Sequence, residues 1–301
     1  MSFANTSEMA NEVRSKLLGG LSAQMEATLK SCDADAVHDL RVAVRRSSQA
    51  LKSFDFYFDS GAVKKIRKRL KKTMRLAGCL RNIDVSMQFV NKWKIPNQDH
   101  LSKQREDAAQ ELIHYMERWI ERGWIADLTD QMKTQPPNPA LESVQDHARR
   151  LLSSMAAEFF KRGNGAADPD ATPTQLHGFR IASKKFRYTM ELFSKSYGSA
   201  LNARIKRVKQ LQTILGDVND CVTMKDILSG DVAGKRLDKR QRRKTAQFRK
   251  LWESGFVEPS IATKWVADLS LLGPRKAPQS QRERPGVEAG VRAFGQGRRR
   301  R

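Results

Sequence analysis

The sequence predicts an all-α fold. Three observations carry this: apolar residues recur at three- and four-residue steps through most of the chain, no segment alternates with period two, and one helix-like segment occurs twice. The first copy runs Val37-His38-Asp39-Leu40-Arg41-Val42-Ala43-Val44-Arg45-Arg46 and on to Phe54. The second runs Leu176-His177-Gly178-Phe179-Arg180-Ile181-Ala182-Ser183-Lys184-Lys185 and on to Phe193. With His38 set on His177, Arg falls on Arg, Val on Ile, Ala on Ala, a basic pair on a basic pair and Phe on Phe. A repeat of that length predicts two copies of one structural unit.

Taken in order, residues 7–31 read as a helix, with Met9, Val13, Leu17, Leu21, Met25 and Leu29 at four-residue steps. Ser7 suits its N-cap, and Gly19-Gly20 weakens its middle. Asp33 or Asp35 suits the cap of the first motif helix, whose end is expected near Ser60-Gly61. The next helix starts near Ala62 and holds Lys64, Lys65, Arg67, Lys68, Arg69, Lys71, Lys72 and Arg75 with no acid among them. Val63, Ile66, Leu70 and Ala77 keep one apolar face, so it is a packed helix, and like charges at i,i+4 favour an anionic partner. Gly78 is expected to end it, with Asn82 or Asp84 capping the following helix. Gly216 and the carboxylates of Asp217 and Asp220 suggest the same turn in the second copy.

Residues 98–133 hold one or two further helices. Gln135-Pro136-Pro137-Asn138-Pro139 cannot continue a helix and marks a linker. A helix over 141–162, a loop from Gly163-Asn164-Gly165 to Asp168-Pro169, and helices from Pro173 and over 199–215, 219–229, 233–254 and 258–272 follow. The expected domains are therefore a first repeat at 7–133, a linker at 134–140, a second repeat at 141–272 and a disordered basic tail at 273–301.

Lys and Arg number 56 against 33 Asp and Glu, a formal net charge of +23. That excess is a statement about partners: nucleic acid, an anionic surface or a soluble polyanion. Aromatics are only 7% of residues, too few for an extended base-stacking surface. The three cysteines, Cys32, Cys79 and Cys221, have no CxxC spacing, so neither a disulfide framework nor a zinc site is expected. Nothing calls for a metal or cofactor. The N-terminal stretch lacks a signal-peptide apolar run and no segment is long and apolar enough to span a bilayer. A soluble cytoplasmic protein without membrane contact is expected.

At about 100° per residue from His38, Arg41, Arg45 and Lys52 fall at roughly 300°, 340° and 320°. Val37, Leu40, Val44, Leu51 and Phe54 form a separate apolar stripe that faces a core. In the second copy His177, Arg180, Lys184 and Arg187 share the polar stripe, and Leu176, Phe179, Phe186, Met190 and Phe193 the apolar one. A basic row bordering a buried face is where a groove between helices holds an anion. His100, His114 and His147 have no repeat partner and read as ordinary residues.

These motifs, with Gly78-x-x-Arg81-Asn82-x-Asp84 and Leu211-Gln212-x-x-Leu215-Gly216-Asp217-x-Asn219-Asp220, resemble the CHAD family, the conserved histidine α-helical domain. The resemblance spans most of residues 7–272. It implies two tandem pseudo-symmetric helical bundles, of about four or more helices each, around a central basic cavity that binds inorganic polyphosphate without catalysis. It also allows association with polyphosphate granules. The residues expected to contact the polymer are His38, Arg41, Arg45, Arg46, Lys52, Arg67, Lys71, Arg75 and Arg81 from the first half. From the second half they are His177, Arg180, Lys184, Lys185, Arg187, Arg207 and Lys209. Two departures stand out. Asn82 occupies a position where the family has Asp, and Ser48-Gln49 stand where the second copy has Arg187-Tyr188, so the halves are expected to contribute unequally.

Polyphosphate offers many acceptor oxygens and no bases or sugars, so rigid rows of guanidinium and ammonium donors suit it. Neutral imidazoles among cations would charge as phosphates bind, which predicts tighter binding as the pH falls from about 8 to about 6. Two other readings are a histidine phosphotransfer or phosphate-handling enzyme and a non-specific nucleic-acid binder. The enzyme reading lacks a matched acid or base. The nucleic-acid reading lacks any specific recognition motif, though weak binding through the basic tail is expected.

Overall fold

The computed structural model describes residues 6–95, 99–121, 123, 143–197, 201–228 and 231–271. Among these there are nine α-helices, one 3-10 turn at Asp55–Tyr57 and no strand. The helices are α1 (Thr6–Lys30), α2 (Ala34–Ser53), α3 (Ser60–Trp93), α4 (His100–Ile120), α5 (Val144–Ala167), α6 (Pro173–Tyr197), α7 (Asn202–Lys225), α8 (Asp231–Gly255) and α9 (Pro259–Leu271). The expected linker at 134–140 and the tail at 273–301 lie outside the described residues.

Local signals start the helices. The Asp33 carboxylate accepts from Asp35 N and Ala36 N at 3.0 and 2.9 Å, capping α2 as expected. Asp59 caps α3 by accepting from Ala62 N at 2.7 Å, and Ser143 caps α5 by accepting from Asp146 N at 3.1 Å. At α6 the cap is reciprocal. Gln175 N donates to the Thr172 hydroxyl at 3.2 Å while Thr172 N donates to Gln175 Oε1 at 2.7 Å, around Pro173 in the first turn.

The apolar stripes do the packing. Val37, Leu40, Val44, Leu51 and Phe54 of α2, and Leu176, Phe179, Phe186, Met190 and Phe193 of α6, are all buried. Helix α1 packs on α2, α2 on α3 and α3 on α4, and α4 returns to α1. Helices α5 to α8 follow the same order of neighbours, and α9 covers α5. The two sets meet where α2 packs on α6 and α3 on α7. One continuous core runs through both, from Met9 to Leu269. In the second set its centre is aromatic: Phe159, Phe179, Phe248, Trp252, Phe256 and Trp265 pack together, with Trp252 and Phe256 stacked at 4.9 Å.

Four expectations are corrected, each for a physical reason. Helix α3 does not end at Gly78 but runs unbroken from Ser60 to Trp93. Gly78 leaves room for a side chain from another helix: a Cβ there would lie 2.8 Å from Arg41 Nη1, and that guanidinium would have to shift. Likewise α5 continues through Gly163-Asn164-Gly165 to Ala167. A Cβ at Gly163 would run into the Trp252 indole, whose Nε1 donates to Asn164 Oδ1 at 3.0 Å. The two helices expected over 199–229 are one, α7, with Gly216 inside it and nothing in its surroundings to explain that glycine. The carboxylates expected as caps are ion-pair partners instead. Buried Asp84 accepts from Arg105 Nε at 2.7 Å, and Arg105 Nη2 donates to Cys32 O at 2.8 Å, tying α3 and α4 to the turn before α2. Asp217 on α7 pairs with Arg240 and Lys244 of α8, both at 2.8 Å.

Candidate anion-binding site

The polar stripes of α2 and α6 meet along the seam where those helices pack. Arg45 Nε donates to the Tyr188 hydroxyl across it at 3.1 Å, and below it buried Gln49 Nε2 donates to Thr189 Oγ1 at 2.9 Å. Arg41, one turn before Arg45, lays its guanidinium over Gly78 of α3 and donates to Met74 O at 3.5 Å. Arg81 of α3 donates to Ala34 O at 3.2 Å. Arg180 and Lys184 face these groups from α6. All five side chains are half-buried.

Electrostatics set this cluster apart. Burial pushes Lys184 down to about 6, and the Arg180, Arg45 and Arg41 cations push in the same direction. Arg41 falls to about 10, from burial first and then from Arg45, Arg180 and Arg81. Arg180 is lowered by burial and by Arg45. The one acid these three groups share is Asp220 of α7, whose carboxyl is raised by burial. Among the described residues, Arg41, Arg45, Arg81, Arg180 and Lys184 make no ion pair, and buried Arg180 Nε has no hydrogen-bond partner.

The two histidines sit in different company. Both rings are exposed. His38 is held below its usual range by partial burial and then by Arg81, Arg45 and Arg41, with Asp39 opposing. His177 Nδ1 instead bonds Asn219 Oδ1 at 3.0 Å, in a shallow cavity that Arg180 also lines. Setting Gly78 on Gly216 places Arg81 on Asn219 and Asn82 on Asp220. So the first half brings a guanidinium near its imidazole, and the second brings the Asn219 amide.

The other sequence-selected cations fall elsewhere. Arg46 and Arg187 lie on the same seam but share Glu191, at 3.5 and 2.8 Å. Lys52 and Lys185 approach each other farther along it, and Lys185 is lowered by burial and then by Lys52. Arg67 pairs with Asp55 at 2.9 Å and Arg75 with Glu111 at 3.4 Å, both on the outside of α3, where Lys71 is exposed as well. Arg207 is drawn away: it donates to Gly255 O and lies 4.7 Å over Phe256, pinning the end of α8. Lys209 is an exposed residue of α7. His147 is buried, its Nε2 2.8 Å from Ser53 O.

Sequence reasoning missed three members of the site. Tyr188 orients Arg45, Thr189 receives Gln49, and Asp220 is the acid within the cluster. One signal was present: Gln49 and Tyr188 occupy the same repeat position, polar in both copies yet next to the apolar stripe. Among the described residues no group of His, Cys, Asp and Glu could hold a metal ion, and no helix is long and apolar enough to cross a membrane.

Fold and site together define an all-α protein with a basic seam between two facing helices, in which cations outnumber acids. The chain belongs to the CHAD family: the CHAD domain model matches residues 13–229. Its fold is similar to the crystal structure of the CHAD domain from the plant Ricinus communis, with a TM-score of 0.55 and 21% identity, covering 90% of this chain and 93% of that one. It also matches PptA from Streptomyces chartreusis, with a TM-score of 0.49 and 16% identity over 85% of this chain and 98% of that one. No curated protein matches the sequence.

Proposed function

We propose that this protein binds inorganic polyphosphate, without turning it over, in the seam built by Arg41, Arg45, Arg81, Arg180 and Lys184. One observation carries the reading: four half-buried guanidinium groups and the Lys184 amine gather without an ion pair among the described residues, and Asp220 is the one acid acting on Arg41, Arg180 and Lys184. Unpaired charge in a partly desolvated seam is costly, and a bound polyanion supplies the missing counter-charge. The guanidinium groups offer fork-shaped donors and Lys184 a point charge, a donor set suited to phosphate oxygens at any point along a uniform polymer. Family membership supports the same reading. A histidine phosphotransfer role has less support, because neither imidazole has a carboxylate hydrogen-bonded to it among the described residues.

Competition separates this function from general polyanion binding. Long-chain polyphosphate is expected to displace labelled duplex DNA at equal charge concentration, and DNA is expected not to displace polyphosphate. Displacement in both directions with equal midpoints would contradict the assignment.

A further inference from the structure

Helix α3 carries a second basic feature that the seam does not use. Between Ser60 and Asn82 the helix has no acidic residue. On a wheel with Arg81 at zero, Lys71, Lys64, Arg75 and Lys68 fall at roughly 80°, 100°, 120° and 140°, so they form one ridge. All four are exposed. Beside the ridge Arg67 is engaged by Asp55, Lys72 lies over the Tyr115 ring at 4.5 Å and Arg69 over the Trp119 ring at 5.6 Å, while Lys65 is exposed. On the ridge only Arg75 has an acid, a solvent-exposed pairing with Glu111 at 3.4 Å. Lys64, Lys68 and Lys71 have no ion pair among the described residues.

This ridge leads into the seam. The same wheel places Gly78 at roughly 60°, where the Arg41 guanidinium lies against α3, and Arg81 follows almost one turn later. From Lys64 to Arg81 the rise along the helix is about 25 Å. Lysines stacked at i,i+3 and i,i+4 repel one another, and surfaces without a partner for such a field normally mix both signs.

We propose that the α3 ridge is a second polyphosphate subsite, continuous with the seam, so that one polymer occupies both and the protein selects long chains over short ones. The proposal rests on the polyphosphate reading of the seam, and tripolyphosphate, too short to span both places, tests that reading separately.

The experiment measures binding of tripolyphosphate and of long-chain polyphosphate, at several salt concentrations, to the wild-type chain and to Lys64→Gln/Lys68→Gln and Lys64→Glu/Lys68→Glu. Tripolyphosphate affinity is expected to be unchanged in both variants. Long-chain affinity is expected to fall about tenfold in the charge-reversed variant, and the salt slope of the Gln variant to drop by about 1.4, the single-strand value for two lost phosphate contacts. Long-chain affinity and slope equal to wild type would overturn the subsite. Equal losses for both ligands would also overturn it, because they report a general field. If wild type fails to bind tripolyphosphate at low salt, the seam reading itself fails, and the subsite with it. Circular dichroism and melting of the variants identify any loss that comes from unfolding.

Discussion

Replacing Lys184 with Met is expected to raise stability and weaken polyphosphate binding at the same time. In the free protein this amine is half-buried beside Arg180, Arg45 and Arg41, with Asp220 the only opposing charge acting on it, and its pKa is down to about 6. Folding at neutral pH must therefore strip a proton from a group that would keep it in the unfolded chain. Methionine has similar length, fills the same space and carries no such penalty. A gain of about 1–3 kcal/mol in unfolding free energy at pH 7 is expected, measured by denaturant titration. Binding should weaken at least about tenfold, because one phosphate contact and its counterion release are gone. The opposite signs are the diagnostic part. A purely structural lysine would lose stability on substitution, and a solvated one would change neither quantity.

The same group sets the pH dependence of binding. Lys184 titrates at 10.5 unfolded and at about 6 folded, so between these values the unfolded chain binds more protons. Its contribution to stability therefore rises with pH through that window. Ligand linkage has the other sign. A phosphate beside Lys184 favours the charged amine, so binding takes up a proton above about pH 6 and weakens as the pH rises. Wild-type affinity for long-chain polyphosphate is expected to fall about tenfold or more from pH 6 to pH 8, a limit of tenfold per pH unit applying to one proton. The trend matches the sequence expectation, but the group is different. His38 is lowered by burial first and then by Arg81, but its ring is exposed, whereas the Lys184 amine is half-buried among three guanidinium groups and is shifted much further. Lys184→Met should flatten the profile and His38→Gln should leave most of it. The reverse result would return the proton to the imidazole.

The residues legible in the sequence are those whose role repeats at helical spacing. Both apolar stripes are buried along their length, and Arg41, Arg45, Arg180 and Lys184 come together because each lies one or two turns beyond its histidine. What was not legible depends on contacts between distant segments. Gly78 and Gly163 read as helix ends because glycine disfavours helix interiors by about 1 kcal/mol. In the structure each makes room for a side chain from another helix, Arg41 or Trp252. Periodicity says which face a glycine is on and nothing about what presses against it. The same limit hid the carboxylates. Asp84, Asp217 and Asp220 stand near glycines and look like caps, but their partners come from α4, α8 and α6. Arg207 was expected among the polymer contacts, and the aromatic end of α8 holds it instead.

The most direct test of the seam is a calorimetric titration of long-chain polyphosphate into the wild-type chain and Arg41→Ala/Arg180→Ala at several salt concentrations. The two guanidinium groups come from opposite halves and already feel one another. If one polymer binds both, affinity should drop about a hundredfold and the salt slope should fall by about 1.4. Unchanged affinity and slope in a folded double variant would contradict the account, for the polymer would then be bound somewhere other than between α2 and α6.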